Sequence, residues 1–86
     1  MDDITRLVNG LFDKNHNIAY KHFKELESAS GQDNRAYRFF DIFADMLDSD
    51  NAYIRTRGLF LISANAKWDE DNKIDEIIDN SSFAED

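Results

Sequence analysis

Three features of this sequence predict an all-α fold of about five helices. Apolar residues recur at helical spacing, as in Ile4, Leu7, Val8 and Leu11 at i, i+3, i+4 and i+7. No segment sustains the period-2 alternation of a half-buried strand, so no sheet is expected. The gaps between apolar stripes are clusters of Asp, Asn, Ser and Gly, the residues that stop one helix and start the next.

The first helix is expected over about 2–13 on its Ile4/Leu7/Val8/Leu11 stripe. Asp13–Asn17 breaks it, and the carbonyl side chains there can accept from the free N–H groups of the next helix. That second helix, about 16–29, carries Ile18, Ala19, His22, Phe23 and Leu26, with Gly31 as its stop signal. A third, about 34–48, carries Phe39, Ile42, Phe43, Met46 and Leu47. Asp48–Asn51 then opens a fourth, about 51–67, on Ile54, Gly58, Leu61, Ile62 and Asn65. The acids at 69–71 sit where they complement the dipole of a fifth, about 71–80, with Ile74, Ile77 and Ile78.

Composition narrows the function. The chain has 86 residues, no Cys, no Pro and three Gly, with 18 acids against 10 Lys+Arg for a net charge of -8. Without Cys there is no disulfide framework, thiol catalysis or Cys-based zinc site. A net acidic chain is a poor match for phosphate backbones or anionic lipid. The acidity is not spread evenly. Residues 1–68 hold ten acids and nine Lys+Arg, whereas residues 69–86 hold eight acids and one Lys. The Met1-Asp2-Asp3 start carries no positive signal region, and the apolar run Leu59–Ile62 is far too short for a membrane span, so a cytoplasmic location is expected.

The stripes repeat. A shift of 35 places Ile4 on Phe39 and Ile74, Leu7 on Ile42 and Ile77, and Leu11 on Met46; beyond the first turn a shift of 36 places Ile18 on Ile54 and Leu26 on Ile62. A period of this size built from helix pairs is the signature of an α-solenoid. The stretch Met46–Leu59 resembles a HEAT-type repeat: the apolar pair Met46-Leu47, a short Asp-containing turn, Ile54-Arg55 in place of Val-Arg, and Gly58 as the small residue three positions on. The first repeat has Ala19 and His22 at the Arg and small positions, and the third holds only its first helix. The absent Pro departs from the family pattern.

The resemblance implies a short α-solenoid, with two antiparallel HEAT-like helix pairs (about 2–32 and 34–68), a half repeat at 71–80 and an acidic tail at 81–86. Gly58 is then expected to allow two helices to approach closely. Arg55 is expected to pair with a turn carboxylate such as Asp48 or Asp50. The unfinished third repeat invites three readings: an end cap, the front of a longer solenoid, or self-association through the open end near Ile74, Ile77 and Ile78.

Catalytic and metal signals are weak. His16 and His22 are six apart, off the spacing of paired helical zinc ligands. The loops beginning at Asp13, Asp48 and Asp69 lack the Gly and terminal Glu of a calcium loop. Asp41/Asp45 and Asp75/Asp79 fall opposite the apolar stripes, where carboxylates are solvated rather than poised. Ser28, Ser30, Ser49 and Ser63 lack a nucleophile motif, and the isolated glycines form no phosphate loop. Arg35, Arg38, Arg55 and Arg57 are interleaved with acids, which dilutes any nucleic-acid stripe. No enzyme activity and no cofactor is expected.

Aromatics outside the main stripes are more informative: Tyr37, Phe40, Tyr53, Phe60 and Trp68. Tyr53 and Phe60 lie seven apart on one helix with Arg57 between them, and in a HEAT-like arrangement that helix lines the concave face. Tyr53, Arg57 and Phe60 are therefore the candidate partner-binding residues of a non-catalytic protein–protein interaction module. The alternative is a small acidic helical-bundle inhibitor or immunity-type protein that masks a basic site on its partner.

Overall fold

The computed structural model describes residues 3–80, with side chains as far as Ile77. The protein is all-α, and no strand occurs among the described residues. Its helices are α1 (Asp3–Gly10), α2 (His16–Gln32), α3 (Phe40–Met46), α4 (Ala52–Ala64) and α5 (Lys73–Asn80), with 3-10 turns at Arg35–Phe39 and Ala66–Trp68. None is long and apolar enough to cross a membrane. Helix α1 packs on α2, α3 packs on α4, and α2 meets α4 between the two hairpins. The core is one cluster: Ile4, Leu7 and Val8 from the first helix and Leu11 from the turn after it, Phe23 and Leu26 from the second, and Phe40, Phe43, Met46, Leu61 and Ile62 beyond. The acidic tail at 81–86 and the Ile78 and Asp79 side chains lie outside the described residues.

The two hairpin turns are the same structure, offset by 36 residues. Three tandem turn bonds end α1, from the N–H groups of Leu11, Phe12 and Asp13 to the carbonyls of Val8, Asn9 and Gly10. The same three end α3, from Leu47, Asp48 and Ser49 to Ala44, Asp45 and Met46. Asn15 N–H then donates to Asp13 Oδ1 at 2.8 Å, as Asn51 N–H donates to Ser49 Oγ at 3.1 Å. Asn15 Oδ1 caps α2 by accepting from Asn17 and Ile18 N–H, and Asn51 Oδ1 caps α4 by accepting from Tyr53 and Ile54 N–H. Each capping side chain satisfies two of the donors that a helix start leaves unpaired, worth about 1 kcal/mol.

The offset is therefore 36 in the turn bonds, and burial likewise pairs Ile4 with Phe40 and Leu7 with Phe43 at 36 rather than the expected 35, while Leu11 keeps Met46 as its buried counterpart at 35. The 3-10 turn at Arg35–Phe39 is the physical reason, because it rotates the stripe that follows. Ala36 (1% exposed), Phe40 (1%) and Phe43 (0%) point into the core, while Phe39 is only partly buried. Phe40 is thus a core residue and not part of a surface patch.

The corrected offset also pairs Gly10 with Met46 and His22 with Gly58. A Cβ at Gly10 would lie 2.2 Å from the His22 ring, and a Cβ at Gly58 would lie 2.7 Å from Met46 Cβ. Both hairpins make the same close approach, with the small residue on opposite helices. His22 thus sits at the small position because Gly10 yields the room, and its Nδ1 donates to Ile18 O at 2.8 Å.

Other boundaries moved for visible reasons. Helix α2 runs through Gly31, which does not have the positive φ of a glycine stop, and ends at an extended Asp33. Its last turn is held from the far side: Trp68 Nε1 donates to Ser30 O at 2.8 Å and Lys67 Nζ to Gly31 O at 2.6 Å. Trp68 is therefore a clamp on carbonyls that a helix end leaves unpaired. Ile18, expected on the inner stripe, is 41% exposed. Arg55 binds no turn carboxylate. Its Nη1 donates to Ser49 O at 2.7 Å, which ties the same turn by its backbone.

Helix α5 begins at Lys73, after Asn72 turns the chain at φ 56. Asn tolerates that left-handed conformation better than most residues. Ile74 and Ile77 pack against the core, and Lys73 Nζ lies 3.7 Å from Asp41. Of the three isoleucines at the expected open end, Ile74 and Ile77 thus pack on the core, and the side chain of Ile78 lies outside the described residues.

Candidate functional site

The expected partner-binding residues do share one face of α4, beside α2. Tyr53 is 62% exposed and Phe60 is 49% exposed, while Arg57 is only 6% exposed. The sequence placed Arg57 in an open patch. The structure instead sets its guanidinium beneath the aromatics. The cause is the α2–α4 contact: Arg57 Cζ lies 5.8 Å from the Tyr20 ring and 5.8 Å from the Tyr53 ring. Rings within about 6 Å of a cation attract it through their negative faces. Arg57 Nη2 also lies 3.4 Å from His16 Nδ1, and the His16 ring meets Tyr53 edge to face at 4.6 Å. Phe60 leans on Phe23 across the same seam, with ring centroids 6.3 Å apart.

The face therefore contains two residues the sequence did not assign to it. Tyr20 is 49% exposed and stands off the buried stripe of α2. His16 is the first residue of α2. Their separate helical positions gave no signal, because only the pairing of α2 with α4 unites them with Arg57.

A pocket of about 230 Å³ opens beside this cluster, where the α1–α2 turn faces the start of α4. Arg57, His16, Tyr53, Asn51, Lys14 and Asp13 contribute to its wall. Two helix starts, α2 and α4, meet there, and the positive ends of their dipoles add to the two cations. Asp13 is the opposing charge, and its Oδ1 is engaged by Asn15 N–H.

The other candidate aromatics have structural tasks. The Tyr37 hydroxyl donates to Asp69 Oδ1 at 2.6 Å, and Phe40 and Trp68 are placed as above. Of the arginines, Arg35 pairs with Asp33 at 3.1 Å, Arg38 reaches Thr5 Oγ1 at 3.2 Å, and Arg55 holds Ser49 O. They lie on different tasks and not along one stripe. Among the described residues no three His, Asp or Glu side chains converge as a metal-binding group. Comparisons with protein-family models, curated proteins and solved structures find no match to this chain.

Proposed function

We propose that this protein is a non-catalytic protein–protein interaction module of HEAT-like α-solenoid form, and that the α2/α4 face is its binding surface. The observation that carries the reading is three exposed aromatic rings on one face, Tyr20 and Tyr53 against the largely buried Arg57 and Phe60 against Phe23. Tyr, Trp and Arg are enriched among the residues that dominate the binding energy of protein interfaces, the aromatics because they offer large contact areas at low entropic cost. The bond-for-bond repetition of the two hairpin turns at an offset of 36 supports the solenoid form.

The test is affinity capture with the full chain, compared with Tyr53→Ala and Phe60→Ala. Both side chains are largely exposed, so both variants should fold with unchanged helicity. A true interface is expected to lose about tenfold or more of its affinity with either change, in line with loss of an interfacial aromatic. Proteins captured equally by all three forms would contradict the assignment of this face. Raising salt in the same assay addresses the acidic-inhibitor alternative, since binding led by the charges of residues 69–86 would collapse while aromatic binding would persist.

A further inference from the structure

Arg57 is the one feature of the α2/α4 face that packing alone does not account for. A guanidinium carries five N–H donors in a fixed fork. Here the residue as a whole is 94% buried, its one hydrogen-bond partner seen among the described residues is His16 Nδ1 at a long 3.4 Å, and none of its nitrogens is both buried and unpartnered, so the remaining donors keep an opening to solvent. No carboxylate lies within ion-pair distance of it among those residues, although the chain carries 18 acids. Exposed cations here do find acids: Lys24 with Glu27 at 2.9 Å and Arg35 with Asp33 at 3.1 Å. Donors without a protein partner that open on a pocket are free to take an anion, and a guanidinium held in a largely buried side chain meets it with little freedom left to lose.

We propose that the pocket beside Arg57 is a receptor for one carboxylate, delivered by an acidic side chain of the protein partner. This rests on the interaction reading above and specifies its chemistry. The pocket volume of about 230 Å³ admits a single side chain and not a folded ligand. A carboxylate is the group that matches a guanidinium fork with two parallel bonds. Arg57, Lys14 and the two helix starts outweigh the one opposing charge of Asp13, and Tyr53 in the pocket wall, with Tyr20 and Phe60 exposed farther along the face, offers apolar seats for residues on either side of the anion. The partner segment is therefore an acidic residue flanked by apolar ones. Lys14, at the pocket rim, would meet the same carboxylate from the solvent side.

The test uses two capped peptides, acetyl-Leu-Glu-Leu-amide and acetyl-Leu-Gln-Leu-amide, titrated into the full chain while the Arg57 Nε–Hε NMR signal is followed. The Glu peptide is expected to shift that signal and to bind about tenfold tighter than its neutral isostere. In Arg57→Met the ratio is expected to fall to about one, because an apolar side chain of similar length removes the donors that meet the carboxylate. Should Arg57→Met fail to fold, the wild-type shift still reads the contact directly. The proposal is overturned by equal binding of the two peptides, by a Glu preference that survives in Arg57→Met, or by no Arg57 shift at about 10 mM Glu peptide, beyond the range of millimolar binding. The titration needs no natural partner. A failed Glu preference therefore removes the carboxylate pocket and leaves the Tyr53/Phe60 face to be judged by capture.

Discussion

Gly58→Ala is expected to lower stability by about 1–3 kcal/mol, the usual range for overpacking a core, even though alanine is the better helix former. A Cβ at this position would stand 2.7 Å from Met46 Cβ and 2.9 Å from the Phe43 carbonyl oxygen. Neither atom is the far end of a flexible side chain, so α3 and α4 must separate to admit it. Their separation loosens Phe43 and Met46, 0% and 3% exposed, from the centre of the core. Gly10→Ala meets the root of the His22 ring at 2.2 Å and should cost a similar amount. Removing that ring supplies an internal check: in a His22→Ala background, Gly10→Ala should cost markedly less, a coupling that a double-mutant cycle measures. Gly31 is the opposite case. It sits inside α2 with no atom within 4 Å of a Cβ, so Gly31→Ala should stabilise by about 0.5–1 kcal/mol. Urea unfolding of the three variants decides the matter by sign. Destabilisation at all three positions, or at none, would contradict the close-approach geometry.

This contrast also shows what the sequence could and could not convey. The helices and their breaks were legible because capping is local: Asn15 and Asn51 bond to the second and third N–H groups after themselves. Gly58 was legible because glycine inside a helical stripe calls for a steric reason. The register of α3 against α1 was not, because Phe39-Phe40 and Met46-Leu47 each offer two adjacent apolar residues, and the helix that follows the 3-10 turn turns Phe40 and Met46 to the core. The site was half legible. Spacing put Tyr53, Arg57 and Phe60 on one face, but the burial of Arg57 depends on Tyr20 and His16 from another helix. A single-helix pattern carries no information about such a neighbour.

Asp69→Ala is expected to undock α5, at a cost of about 2–4 kcal/mol from one lost helix cap and one orphaned hydroxyl. One carboxylate performs three tasks: Oδ1 accepts from the Tyr37 hydroxyl at 2.6 Å and from Lys73 N–H at 2.9 Å, and Oδ2 accepts from Ile74 N–H at 3.0 Å. An eight-residue helix cannot stand alone in water, so α5 depends on this anchor and on the packing of Ile74 and Ile77. The bond also shifts both partners. Burial first, and then the bond to Asp69, pushes the Tyr37 hydroxyl from 10.0 up to about 12. Burial pushes Asp69 up, but the Tyr37 hydroxyl and the N–H groups of Ile74 and Lys73 together hold it below its ordinary 3.8. The signs then follow from linkage. The Asp69 contribution is present above the ordinary carboxylate value and is lost as pH falls through its lowered folded value. The Tyr37 contribution is complete below pH 10 and is lost as pH rises toward about 12. Tyr37→Phe should therefore remove the alkaline loss of stability while leaving the Asp69 cap and most of the helicity in place. Asp69→Ala should reduce far-UV circular dichroism by about one short helix across the neutral range. Equal helicity in wild type and Asp69→Ala, or an alkaline transition that persists in Tyr37→Phe, would show that α5 is held by its isoleucines alone.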